Sequence, residues 1–327
     1  CIATSNDKGR TWHKYEGNPV LGHIVDHNRD PKVIWHAPTK RWIMALYLDK
    51  NDYALFSSPD LKSWVRLCDI VLPGCSECPD LFELPVDGDT QNKKWLFWGA
   101  NGTYSLGAFD GYRFAPEGEP QRYDWGGNTY AAQTWSDIPA EDGRRIQIAW
   151  FRRDLPGMPF NQFMSFPCEL TLRTTPEGIR LHTQPVREIE ALHGEGRSWQ
   201  DFGLVPGQNP LAGIDAELVD IRVSFRASAA ESVSLIVRGV PIVYDAKKGQ
   251  LWCQNKVAPL HPLEDGTIRL QVLVDRASLE IFGNDGRVAL PLGVLYSDQD
   301  CSLALIAQGG EAMVVSMEAY SLRSIWQ

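Results

Sequence analysis

Two short segments of this 327-residue chain hold carboxylates in settings that fix their direction. In Glu77-Cys78-Pro79-Asp80-Leu81-Phe82 two acids bracket a cysteine and a proline just ahead of a strand-like apolar run. Upstream, Arg29-Asp30-Pro31-Lys32-Val33 sets a further acid beside a proline. Proline fixes its own φ and restricts its neighbour's backbone, so both segments are expected at sharp strand-edge turns that aim an acid one way. Fixed acids presented from separate loops are what cleavage of a glycosidic bond needs. The same residues could instead do no more than cap turns, since Asp and Glu beside proline are common turn chemistry.

More of the chain joins these segments. Ser5-Asn6-Asp7-Lys8-Gly9-Arg10-Thr11-Trp12 and Gly17-Asn18-Pro19-Val20 precede them, and Tyr130-Ala131-Ala132-Gln133-Thr134-Trp135 and Phe166-Pro167-Cys168-Glu169-Leu170-Thr171-Leu172 follow. Asp275-Arg276-Ala277-Ser278-Leu279-Glu280-Ile281-Phe282 lies near the end. Taken in this order, nearly end to end, the segments resemble glycoside hydrolase family 32, the invertases, inulinases and levanases that cleave β-fructosides. The resemblance implies a retaining two-carboxylate mechanism, with Glu77 as the general acid/base and Asp30 as the transition-state stabiliser that holds fructosyl hydroxyls. Arg29 and Cys78 are then expected to line the pocket and position the acids, and Trp150 to lie under the sugar ring. Asp80, three residues after Glu77 and beyond a proline, is expected to accept hydrogen bonds from backbone amides, not to meet substrate. Glu77 needs surroundings that let it carry a proton near neutral pH, whereas Asp30 must stay ionised, with Arg29 at hand to help. The family's Trp-Met-Asn-Asp-Pro-Asn-Gly-like segment, whose Asp is the nucleophile, has no counterpart in residues 1–327. The chain is accordingly expected to be a fragment or a shortened member, weak or inactive as it stands, with Asp26 the substitute nucleophile if it does turn over substrate.

The elements that must carry these acids are strands. With 43% hydrophobic residues the chain can bury a core in each of two domains. Its apolar residues fall in short runs rich in Val, Ile, Leu and aromatics between Gly, Pro, Asp and Asn clusters, an all-β pattern. Ser5 to Trp12 is echoed by Ser57-Ser58-Pro59-Asp60-Leu61-Lys62-Ser63-Trp64 and more faintly by Phe109-Asp110-Gly111-Tyr112-Arg113-Phe114. Trp12, Trp64 and Phe114 stand 52 and 50 residues apart (64 − 12 and 114 − 64), close to one propeller blade per repeat. Each echo is expected to be an Asp-bearing hairpin turn whose aromatic packs back on its blade. Strands are expected at Trp42–Tyr47, Tyr53–Phe56, Trp95–Trp98 and Ile146–Trp150, a short helix at Arg187–Leu192, and alternating strands beyond it. The fold expectation is all-β: a five-bladed β-propeller whose N-terminal blades are missing, followed by a C-terminal β-sandwich. Its parts are a partial catalytic propeller at 1–185, a linker at 186–195 and the sandwich at 196–327.

Composition narrows the partners. A net charge of −9 argues against nucleic acid or an anionic membrane, and no apolar run approaches the ~18 residues of a membrane span. Seven cysteines cannot all pair within one chain, and Cys75-Ser76-Glu77-Cys78 lacks the second Cys pair or strand-to-helix context of a zinc or redox site. His23 and His27 have a helical metal-pair spacing, but Gly22 and the surrounding pattern place them in a loop, so neither a metal nor a cofactor is expected. The expected partner is a fructose-containing sugar: sucrose, inulin, levan or a fructo-oligosaccharide. Exposed blade faces further suggest a homo-oligomer formed through the open side of the propeller. Rival readings are a vestigial protein that binds fructan without cleaving it, and a five-bladed glycosidase of the arabinanase or sialidase kind.

Overall fold

The structure, a computed structural model, describes residues 1–25, 28–297 and 299–326, so Asp26 and His27 lie outside the described residues. The expected all-β class is what it has: propeller blades followed by a β-sandwich, with a single 3-10 turn at Arg187–Leu192 among the described residues. By packing, the chain divides into two compact units, residues 1–122 with 131–143, and residues 123–130 with 144–327.

The first unit opens with the hairpin Ala3–Thr4 (β1) and His13–Lys14 (β2). An antiparallel meander follows: Arg29–His36 (β3), Arg41–Asp49 (β4), Asp52–Ser58 (β5) and Val65–Val71 (β6). Next comes a second meander, Asp80–Val86 (β7), Asp89–Trp98 (β8), Thr103–Phe109 (β9) and Phe114–Pro116 (β10), in which β8 pairs antiparallel with β7, β9 with β8 and β10 with β9, and Gln121–Arg122 (β11) adds against β9. Thr129–Thr134 (β12) holds residues of both units. β4 sits inside its sheet and is covered on both faces, which is why Ile43 to Leu48 run apolar without alternation. Its odd residues Ile43, Ala45 and Tyr47 pack with Leu81, Phe97, Phe109 and Phe114 of the following strands. Its even residues Met44, Leu46 and Leu48 pack with Leu21, Ile24, Val25 and Trp64. The edge strand β6, exposed at Val65, Arg66, Asp69 and Val71, shows no such continuous run.

The three echoes are one structural device. Asp7 Oδ1 accepts from Thr11 N at 2.9 Å, Asp60 Oδ1 from Lys62 N and Ser63 N at 2.9 and 2.8 Å, and Asp110 Oδ1 from Tyr112 N and Arg113 N at 2.8 and 2.7 Å. These backbone bonds hold all three carboxyls below the usual carboxylate range. The residue after each aspartate, Lys8, Leu61 or Gly111, takes a positive φ. In the first two turns the indole Nε1 donates to the carbonyl three residues back, Trp12 to Gly9 and Trp64 to Leu61. Trp64 packs on its blade, but Trp12 is 63% exposed, so the aromatic does not cover its blade in every copy.

In the second unit, Ile146–Phe151 (β13), Phe163–Met164 (β14), Cys168–Thr175 (β15) and Gly178–Pro185 (β16) pair antiparallel. The sandwich then runs through His193–Leu204 (β17), Val219–Arg226 (β18), Ser232–Val237 (β19), Val240–Asp245 (β20), Gln250–Cys253 (β21) and Lys256–Pro259 (β22). It closes with Ile268–Val274 (β23), Ser278–Gly283 (β24), Val288–Gly293 (β25), Leu303–Gln308 (β26) and Ala312–Leu322 (β27). One sheet has the order β17-β27-β18-β23-β24-β25 and the other β22-β21-β20-β19-β26. Alternate residues of both, among them Ile221, Val223 and Phe225 facing Leu235, Ile242 and Leu305, form the core between them. A smaller cluster of Cys168, Val186, Ile189, Leu273 and Phe282 packs the β15–β16 hairpin and the 3-10 turn onto the first sheet.

Candidate active site

Asp30 and Glu77 come together in the first unit, and Cys78 joins them. Asp30 stands at a β-bulge in β3, where the pairing with β4 shifts between Arg29 and Lys32. Glu77 and Cys78 form the loop just ahead of β7. Asp30 Oδ2 accepts the Cys78 backbone N–H at 3.2 Å and lies 3.5 Å from the Cys78 thiol. Arg29 donates through Nη2 to Glu77 Oε1, while its Nε stands 3.8 Å from Asp30 Oδ2. The guanidinium also lies 4.9 Å over the Tyr47 ring. Arg29 therefore bridges the two acids and is held more tightly by Glu77 than by its sequence neighbour. That hydrogen bond raises the Arg29 pKa further. Burial first, and then the charge of Asp30, push the Cys78 thiol up to about 12, so it stays protonated. Asp30 and Glu77 keep 33% and 27% of their side chains exposed, enough for both to meet a solute.

The backbone here is strained. Asp30, Glu77, Cys78 and Ala131 have φ of 57°, 59°, 43° and 53°, in the left-handed region that side chains other than glycine's rarely adopt. Each such residue costs on the order of 1–3 kcal/mol and persists only where surrounding bonds over-determine it. Those bonds are present. Tyr53 Oη donates to Glu77 O at 3.3 Å, Ala100 N to Glu77 O at 3.2 Å, and Gln133 Nε2 to Cys78 O and Pro79 O, both at 3.2 Å. Gly99 makes room beneath the loop, because a Cβ there would run into Cys75 Sγ and stand 2.5 Å from Tyr53 Oη.

Asp80 behaves as its position beyond the proline suggests. Fully buried, it accepts Thr134 N at 2.8 Å, Thr134 Oγ1 at 2.9 Å and Leu81 N at 2.8 Å, and pairs with Lys32 Nζ at 3.1 Å. Trp150 belongs to the second unit, on β13, 40% exposed, with its ring edge-on to Tyr130 at 6.4 Å. No motif assigns a role to Lys32, Tyr53, Gly99, Gln133 or Thr134. Gln133 and Thr134 stand in the Tyr130–Trp135 segment already singled out, which was the available signal, whereas nothing in the sequence marks Tyr53 or Gly99. Among the described residues no group of three or more His, Cys, Asp or Glu is arranged to hold a metal ion.

Comparison with known proteins bears on this arrangement. The levanase of Bacillus subtilis (strain 168) is 34% identical over 99% of the chain, and the extracellular exo-inulinase of Aspergillus ficuum 26% identical over 99%. The chain spans 55% of that levanase and 41% of a second levanase, from Bacillus sp. (strain L7), about half the length of these relatives. The crystal structure of exo-inulinase from Aspergillus awamori superposes with a TM-score of 0.88 at 23% identity, covering 99% of the chain and 74% of that protein. The β-fructofuranosidase of Schwanniomyces occidentalis complexed with fructosyl-erythritol gives 0.87 at 22% identity, over 98% and 75%. At these identities the superpositions establish a shared fold. The family model for the glycosyl hydrolases family 32 N-terminal domain matches residues 1–185, and that for the family's C-terminal domain residues 188–321. With nearly the whole sequence accounted for by these two domains, the chain belongs to glycosyl hydrolases family 32.

Proposed function

We propose that this chain contributes the acid/base and the stabilising carboxylate of a retaining β-fructosidase, with Glu77 and Asp30 in those roles. The observation that carries it is the bridging of the two acids by Arg29, with the Cys78 N–H bonded to Asp30, on a strained, partly exposed loop pair. Glu77 gives its proton to the leaving glycosidic oxygen and later takes one from water. To carry that proton it must first be freed from the Arg29 guanidinium, so an incoming sugar has to draw Arg29 away from Oε1. Asp30, holding fructosyl hydroxyls, lowers the energy of the oxocarbenium-like transition state. The protonated Cys78 thiol packs on Asp30 without adding a charge. A fructose-containing sugar as substrate is supported by the names of the relatives, levanase and exo-inulinase, and by the fructosyl-erythritol complex of the structural neighbour. Trp150 is proposed as a platform for a sugar ring, a role that suits its exposed indole. The propeller part is proposed to end at 185, with residues 186–195 as linker around the 3-10 turn and leading into β17, whose pairing with β27 already starts at His193.

A retaining site also needs a nucleophilic carboxylate, which neither Glu77 nor Asp30 supplies in these roles. The polypeptide of these residues is accordingly expected to bind short fructo-oligosaccharides and to hydrolyse them several orders of magnitude more slowly than a complete site would. Joined ahead of residue 1 to a family segment that carries Asn-Asp-Pro, it should gain turnover, and Glu77→Gln should then remove a factor of about 10²–10⁴ while binding holds. Calorimetric titration beside initial-rate measurement decides it. Equal loss of binding and turnover in the Glu77 variant overturns the acid/base assignment.

A further inference from the structure

Left-handed residues occur in several settings in this chain, among them Asp201 inside β17 and Ser228 in a loop, and four cluster at the acids. Lys50, Asp87, Arg238, Gln254 and Asn284 lie in the short turns between paired strands, where hairpin geometry itself asks for positive φ. Asp30, inside β3, Glu77 and Cys78, ahead of β7, and Ala131, inside β12, lie in no such turn. Each of these four is followed two or three residues later by a member of one buried cluster: Lys32 after Asp30, Asp80 after Glu77 and Cys78, Thr134 after Ala131. The cluster is closed on itself. Lys32 Nζ reaches Asp80 Oδ2 at 3.1 Å and donates to Thr134 O at 2.6 Å, and Thr134 returns N–H and hydroxyl to the same Asp80 oxygen. The Asp80 side chain has no exposed surface and that of Lys32 only 11%.

We propose that Asp80, Lys32 and Thr134 form a positioning node that holds the left-handed backbone of the three segments and thereby fixes the aim of Asp30 and Glu77. An apolar contact among the three segments would resist separation but let them slide, whereas directional, charge-assisted bonds to one carboxylate oxygen set their relative register. The segments are remote in sequence, the partners of Thr134 lying 54 and 102 positions away, so no local rule could hold their register. Gln133 adds a second tie from the same strand to the carbonyls of Cys78 and Pro79. None of the three node residues is a catalytic group; they act through the backbone. The proposal rests on the assignment of Asp30 and Glu77 as the working acids.

The test is amide hydrogen exchange on the full 327-residue chain, with binding of a short fructo-oligosaccharide measured beside it. In Asp80→Asn the Cys78 amide, whose acceptor is Asp30 Oδ2, should lose protection by about tenfold or more, the factor that goes with one weakened hydrogen bond. The Val272 amide in the sandwich core should be unchanged, and affinity for the sugar should fall by a similar factor. Adding Lys32→Met removes the cation left unpaired and should restore thermal stability without restoring Cys78 protection, an outcome a merely structural pair would not give. Should Asp80→Asn fail to fold, Thr134→Val, which keeps shape and backbone N–H but deletes one donor, replaces it with the same expectation. Cys78 protection unchanged while that of Thr134 falls overturns the proposal. Exchange needs no sugar, so lost Cys78 protection supports the node even if no fructoside binds, and that second result would count against the functional reading alone.

Discussion

Glu280→Gln is expected to make the protein more stable above neutral pH, although it removes a charged group. Glu280 sits in β24, every residue of which is buried, and its Oε1 accepts the Phe166 amide at 3.0 Å. Burial, with smaller contributions from Asp275 and Asp124, raises its pKa to about 8. An acid whose folded pKa lies above its unfolded value adds stability that is full below the unfolded pKa and is lost as pH rises through the folded one. The window for Glu280 therefore runs from the ordinary glutamate value of 4.5 up to about 8. His182 acts oppositely in the lower part: burial first brings its pKa from 6.5 down to about 4, so its contribution is lost as pH falls through that range. Between pH 6.5 and 8 Glu280 acts without this counterweight. At ~1.36 kcal/mol per pH unit, those 1.5 units amount to about 2 kcal/mol lost by the wild type and not by Glu280→Gln, whose amide oxygen still accepts from Phe166. For a domain of the second unit's size this is a relative shift of about 4–8 °C in melting midpoint. Calorimetric melts of both proteins at pH 6.5 and pH 8 measure it. If wild type and variant lose the same amount between the two pH values, Glu280 is not the titrating group and the argument from its burial is wrong.

Other consequences are as direct. In a chain that turns over fructosides, Asp30→Asn should lower kcat by about 10² and leave substrate affinity within a few-fold, because a transition-state interaction is lost; initial rates beside titration calorimetry would show a proportional loss of affinity if Asp30 serves ground-state binding instead. Gly99→Ala should destabilise the first unit by about 1–3 kcal/mol, since the new methyl meets Cys75 Sγ and Tyr53 Oη under the Glu77 loop, and an unchanged denaturant midpoint would mean the loop yields freely. At pH 8 iodoacetamide should alkylate exposed Cys1 and leave Cys78 untouched, its thiol held near 12; peptide mass spectrometry finding Cys78 labelled first would refute its protonated state.

Much of this protein follows from local pattern. Strands expected at Trp42–Tyr47, Tyr53–Phe56, Trp95–Trp98 and Ile146–Trp150 lie within β4, β5, β8 and β13, and the 3-10 turn fills Arg187–Leu192, because short apolar runs between turn residues leave the backbone few choices. The three Asp-bearing turns were legible for the same reason, since an aspartate satisfying amides two to four residues on is a property of the segment alone. The two acids and their proline-bounded settings were likewise present in the residues. What the sequence could not supply was which group meets which. Arg29 stands beside Asp30 in the chain yet gives its strongest bond to Glu77, and Glu280, spaced like a solvent-facing residue on an alternating strand, is buried because both faces of β24 are covered. The closure of Asp80, Lys32 and Thr134 into one node joins segments up to 102 positions apart. Side-chain type and spacing thus settle strands, turns and the kinds of chemistry on hand. Burial and the pairing of charges are sums over neighbours that only the folded chain brings within a few ångströms, so tertiary structure alone decides which carboxylate is exposed, which is neutral and which serves as a brace.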